Sequence, residues 1–156
     1  MNKSFLIFCA AAALAAIAAA AFFTRPAPPV IPAFIAPEPG LVARGKTIYE
    51  QNCASCHGAK LEGQPDWRQR LPSGRLPAPP HDASGHTWHH PDQVLIDIVK
   101  HGLVPGKTAP EGYQSDMPAY GASLQDADIV AVLAYIKSSW PTEARDAQRN
   151  ITQQSK

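Results

Sequence analysis

Asn52-Cys53-Ala54-Ser55-Cys56-His57-Gly58, "NCASCHG", sets two thiols and an imidazole within five residues. Cysteines spaced this way serve three unrelated chemistries: half of a zinc site, a dithiol switch, or the attachment point of a haem. A zinc site needs more ligands at the spacing of a second knuckle. The third cysteine, Cys9, lies instead in an apolar run near the N-terminus. A thioredoxin-type dithiol follows a strand and opens a helix, whereas this pair ends a segment of helical periodicity. Read as Cys-x-x-Cys-His, each thiol adds across a vinyl group to give a thioether, and the adjacent imidazole coordinates iron. Two vinyl groups and one iron are fixed points on a rigid macrocycle, and five residues in a tight turn reach all three. The residues favour covalent haem over the zinc and dithiol alternatives.

Upstream, Leu41, Gly45, Ile48 and Tyr49 fall on one helical face, so a helix starting after Gly40 delivers Cys53 at its C-terminal end. Downstream, Asp92 to His101 carries apolar residues at 94, 95, 98 and 99, with Pro91 suited to a helix start and Gly102 to its stop. A third helix, starting between Ser123 and Asp126, places Ile129, Val132, Leu133 and Ile136 on one face and stops before Pro141. Three helices without a strand pattern predict an all-α domain. About thirty residues separate the first two helices and about twenty the last two, long for a small domain unless a buried cofactor organises them.

A haem iron held by His57 has a second axial position. The chain has two methionines, Met1 in the N-terminal run and Met117 in "SDMPAYG", sixty residues after His57. A lone methionine is more often packing, but this one lies in a loop bounded by proline and glycine, which favours a ligand role. His81, His86, His89, His90 and His101 compete for the iron. The four in "HDASGHTWHHPD" could also build a separate copper or zinc site, and a polar loop is the plainer reading. Trp88 in that loop is assigned to packing.

On Cys53, Cys56, His57, Met117 and the stretch "MPAYGASLQDADIVAVLAYIKSSW", the chain resembles class I cytochromes c over residues 41 to 140. The resemblance implies an all-α cytochrome c fold wrapped on one covalently attached haem c, with Cys53 and Cys56 as attachment points and His57 and Met117 as axial iron ligands. It implies a helix crossing in which Gly45 and Tyr49 meet Val132 and Tyr135, the glycine letting two backbones approach. It also implies a proline carbonyl that accepts the proton of the axial histidine's other nitrogen, fixing the ring. Pro79 is the candidate, with Pro77 and Pro80 as alternatives, and Tyr49 joins it in the haem environment. The segment 78–102 departs from short mitochondrial-type cytochromes and is similar to bacterial membrane-associated mono- and dihaem variants.

The N-terminus divides in two. Phe5 to Phe23 is a run of nineteen uncharged, alanine-rich residues after Lys3, roughly 28 Å long as a helix and able to span a bilayer. It reads as a retained signal-anchor, with a cleaved signal peptide as the alternative. Residues 24–39 hold six prolines, a composition that favours extended polyproline II and a semi-rigid linker. Residues 40–140 then form the cytochrome domain and 141–156 a polar tail that frays or forms a loose helix.

Fourteen basic residues against thirteen acidic ones give no basic excess to attract nucleic acid. The expected function is one-electron transfer on the periplasmic side of a bacterial inner membrane, with redox proteins docking at the haem edge. No catalysis and no small-molecule substrate are expected. A fixed subunit of an oxidase, dehydrogenase or copper-handling complex is the first alternative, and a haem enzyme or gas sensor the second.

Overall fold

The computed structural model describes residues 32 and 34–155. The expected signal-anchor and most of the proline-rich linker lie outside the described residues. Within them the domain is helical, with no sheet.

Helix α1, Pro39–Asn52, opens on a proline in its first turn, where a missing N–H leaves no bond unmade. It packs on α4, Asp126–Ser138, whose start is closed by a reciprocal pair: Gln125 and Asp128 each bond the other's backbone N–H through their side chains. At the crossing Gly45 meets the Ala131 carbonyl so closely that a Cβ would overlap it and approach Tyr135 Cβ. Only glycine lets these two backbones touch. Four residues on, Tyr49 is fully buried and its ring stands 5.3 Å from that of Tyr135.

After α1 the chain makes one short turn, α2, Ala54–His57. A 3₁₀ turn at Thr87–His89 leads into α3, Asp92–His101, which stops at Gly102 with φ +77°. That left-handed conformation suits glycine at a helix end. Ile96, Ile129, Leu133 and Trp140 join Tyr49 and Leu61 in a continuous core.

Two parts of the chain differ from their sequence reading. The polar residues after Pro141 form α5, Thr142–Gln154, with Ala144, Gln148 and Thr152 buried at a spacing of four. Residues 34–38, assigned by composition to the linker, are docked onto the domain, and Ile35 is fully buried. One polar cluster explains both. Asp92 accepts hydrogen bonds from the Ile35 N–H at 2.7 Å and from Gln148 Nε2 at 2.7 Å. It is also ion-paired with Lys137, which is only 1% exposed. Lys137 in turn donates to the Ile35 carbonyl at 3.0 Å, and the Asp92 N–H donates to Thr152 Oγ1 at 3.1 Å. Burial was satisfied here by hydrogen bonds rather than by an apolar stripe, so the hydropathy pattern is silent about it.

Candidate haem centre

The Cys53–His57 turn is fixed from behind by α1. The Cys53 N–H continues the helical ladder to the Tyr49 carbonyl at 2.8 Å, and the His57 N–H bonds the Cys53 carbonyl at 2.9 Å. The Tyr49 hydroxyl donates to the Gly58 carbonyl at 2.9 Å, clamping the end of the turn. Burial of this hydroxyl, with Cys53 nearby, holds its pKa well above the ordinary tyrosine value.

Cys53 and Cys56 are free thiols, the first partly buried and the second exposed. Burial, reinforced by Cys56, pushes the Cys53 thiol up to about 11. A dithiol switch works through a thiolate of lowered pKa, and Cys53 is not such a thiol.

His57 is buried, and its Nδ1 donates to the Pro79 carbonyl at 2.9 Å. Burial lowers its pKa, with the Pro79 bond opposing in part. A neutral imidazole with its proton committed to Pro79 directs the lone pair of Nε2 away from the loop, the state a metal ligand needs. Pro77 and Pro80 do not make this contact; Pro79 does.

The Met117 loop is moored at both flanks. The Met117 N–H donates to Ser115 Oγ at 3.0 Å, and the Tyr120 and Gly121 N–H groups donate to the Val99 and Lys100 carbonyls at 3.0 and 2.9 Å. The Tyr120 hydroxyl reaches the Asn52 carbonyl at 2.7 Å, beside Cys53. Burial, with Cys53 and Cys56 next in importance, raises its pKa. Tyr120 therefore ties the methionine loop to the residue preceding the thiol pair. Met117 is partly exposed.

Two thiols, a proton-committed imidazole and a thioether loop tied to the same turn make a donor set that fits a covalently held haem. Among the described residues no three His, Cys, Asp or Glu side chains converge as a separate metal site. The histidines of the 81–90 loop disperse into pairs: His86 stacks on Trp67, His89 stacks on Trp88, and His90 meets His86 edge-on. His81 lies with its ring against His57, the centroids 4.0 Å apart. The sequence names His81 only as one of five histidines competing for the iron, and Tyr120 it does not mark as a site residue. Tyr120 carries a readable sign, its place three residues after Met117, whereas His81 looks like its three neighbours.

A sequence-family model described as cytochrome c matches residues 42–140. The cbb3-type cytochrome c oxidase subunit CcoP of Azospirillum sp. strain B510 is 30% identical over 103 residues, covering 65% of this chain and 29% of that protein. The gluconate 2-dehydrogenase cytochrome c subunit of Pantoea cypripedii is 30% identical over 102 residues, 65% of this chain and 21% of that protein. Cytochrome c-555 of Prosthecochloris aestuarii is 49% identical over 39 residues, 21% of this chain and 39% of that protein. The chain thus spans well under half the length of these relatives, and no solved structure matches it. With a helical fold, a Cys-x-x-Cys-His turn and a family match over most of its described length, the chain belongs to the cytochrome c family, whose domain carries covalently bound haem c.

Proposed function

We propose that the chain is a one-electron carrier in which a single haem is attached through Cys53 and Cys56 and ligated by His57 and Met117. The observation that carries this reading is the 2.9 Å bond from His57 Nδ1 to the Pro79 carbonyl, which commits one nitrogen and leaves the other for iron. A bound haem supplies a reversible Fe(II)/Fe(III) couple. His57, oriented by Pro79, acts as a strong donor from one side. Met117 would offer its thioether sulfur as the second protein ligand, a donor that would exclude exogenous ligands and favour the reduced state. Tyr49 fixes the turn from which both cysteines and His57 project.

Cys56, exposed, marks the edge over which partners dock through the small interface usual for redox encounters. The chain itself transforms no substrate. In this reading residues 5–23 are the membrane anchor and the cytochrome domain works on the periplasmic side. Among the described residues no helix is long and apolar enough to cross a membrane. A second reading, a fixed subunit of a larger oxidase or dehydrogenase, is favoured by the names of the CcoP and gluconate dehydrogenase relatives. Purification from mild detergent separates the two: stoichiometric companions support the subunit, and isolation alone supports the carrier.

Attachment is tested by in-gel haem staining after denaturation, with iron quantified per chain. The wild type keeps its stain at one iron per chain, and the variant carrying both Cys53→Ala and Cys56→Ala loses it. A stain that survives in the double variant contradicts the proposal.

A further inference from the structure

His81 is the one histidine of its loop turned toward the site. Its ring lies against that of His57, centroids 4.0 Å apart and planes 23° from parallel. Three bonds hold it there: its N–H donates to the Leu61 carbonyl at 2.8 Å, its carbonyl accepts from Trp140 Nε1 at 2.7 Å, and its Nδ1 pairs with the Thr87 hydroxyl at 2.9 Å. Thr87 and Trp140 are both buried, so the ring is fixed by the core and not by solvent-facing groups.

We propose that His81 is a positioning residue for His57, its ring closing one face of the His57 imidazole so that the iron-binding nitrogen has a single orientation. The Pro79 bond alone leaves freedom, because a hydrogen bond tolerates tens of degrees of misalignment. A flat ring in van der Waals contact narrows that range, since rocking the imidazole drives it into its neighbour. Pro79 and His81 are two residues apart on one loop, and the Trp140 bond ties that loop to the end of α4. The His57 ring plane is therefore tied, through His81, to the turn that follows the helix crossing α1.

This inference rests on His57 as an axial ligand, and its test reads the orientation of that ligand rather than its presence. In the ferric holoprotein the proton NMR shifts of the haem methyls depend on the plane of the axial imidazole. His81→Leu, which keeps bulk but removes the flat ring, is expected to change the spread and order of these shifts. His81→Phe is expected to restore the wild-type order. Thr87→Val, which frees Nδ1 of His81 without touching the stack directly, is expected to shift the pattern less than His81→Leu and in the same direction, and it carries the test if His81→Leu fails to mature. Wild-type shifts in His81→Leu, or in Thr87→Val if that variant alone is available, overturn the inference. So does a His81→Phe pattern no nearer to wild type than that of His81→Leu. Failure of the underlying reading looks different: a His57→Ala protein that remains low-spin removes His57 from the iron whatever the His81 variants do.

Discussion

The two polar regions of this domain are built on opposite principles. In the cluster of Ile35, Asp92, Lys137, Gln148 and Thr152, the protein's own groups match one another. Asp92 alone receives bonds from Ile35 and Gln148 beside its ion pair with Lys137, and Gln148 Oε1 is the sole buried side-chain polar atom without a partner among the described residues. Around the Cys53–His57 turn the protein matches only what faces inward: Tyr49 to Gly58, His57 Nδ1 to Pro79, Tyr120 to Asn52. None of these bonds engages the thiols, the second imidazole nitrogen or the thioether, which are the donors that the proposed function assigns to haem. One region closes the fold, and the other orients a donor set.

The comparison breaks most sharply if the buried pair is opened. Lys137→Met leaves Asp92 buried without its cation, and a buried pair broken on one side costs about 3–5 kcal/mol. A drop of that size in unfolding free energy by denaturant titration, with the absorbance spectrum of the surviving native protein unchanged, separates the closing region from the site. A spectrum altered at the haem would show the two regions to be coupled.

Gly45→Ala tests the crossing on which both regions depend. The added Cβ would overlap the Ala131 carbonyl, and overpacking of this kind costs about 1–3 kcal/mol. Thermal unfolding should shift down accordingly, and an unchanged midpoint would mean that the helices do not approach as closely as described.

Tyr120→Phe sharpens the site side alone. It removes one hydrogen bond, worth about 0.5–1.5 kcal/mol, between the methionine loop and Asn52. The expected sign is earlier loss, on heating, of the sulfur-to-iron band in the near-infrared, with little change in global unfolding. Parallel loss of both signals would place the bond in the fold rather than in the loop.

The smallest effect is pH-dependent. Burial first, and neighbouring histidines second, lower the pKa values of His86 and His90. The fold disfavours their protonation relative to the unfolded chain, whose histidines have an ordinary value of about 6.5. Their contribution to stability is therefore present above that value and lost as the pH falls below it. Replacing both by Asn should flatten the fall in stability between about pH 7.5 and pH 5.5. An unchanged slope would move the acid sensitivity to other groups.

These contrasts also explain what could be read in advance. Helices α1, α3 and α4 announce themselves because each carries apolar residues at helical spacing beside a cap or stop, as Ile129, Leu133 and Ile136 do. The Cys53–His57 turn is legible because its chemistry is contiguous. The tail reads as frayed or loosely helical, and the docking of α5 was not legible, because Ala144, Gln148 and Thr152 bury a face without an apolar stripe. Docking of Ile35 was hidden for a related reason: its partners are Asp92 and Lys137, 57 and 102 residues away. His81 was hidden among identical residues, and only the fold distinguishes the ring that touches His57.

The central claim is that Met117 completes an iron site begun at His57. It is tested most directly by the near-infrared absorbance of the ferric protein, wild type against Met117→Ala. The account predicts a weak sulfur-to-iron charge-transfer band in the wild type that disappears in the variant, together with a fall in reduction potential. A wild-type protein without the band, or a variant that retains it with an unchanged potential, would contradict it.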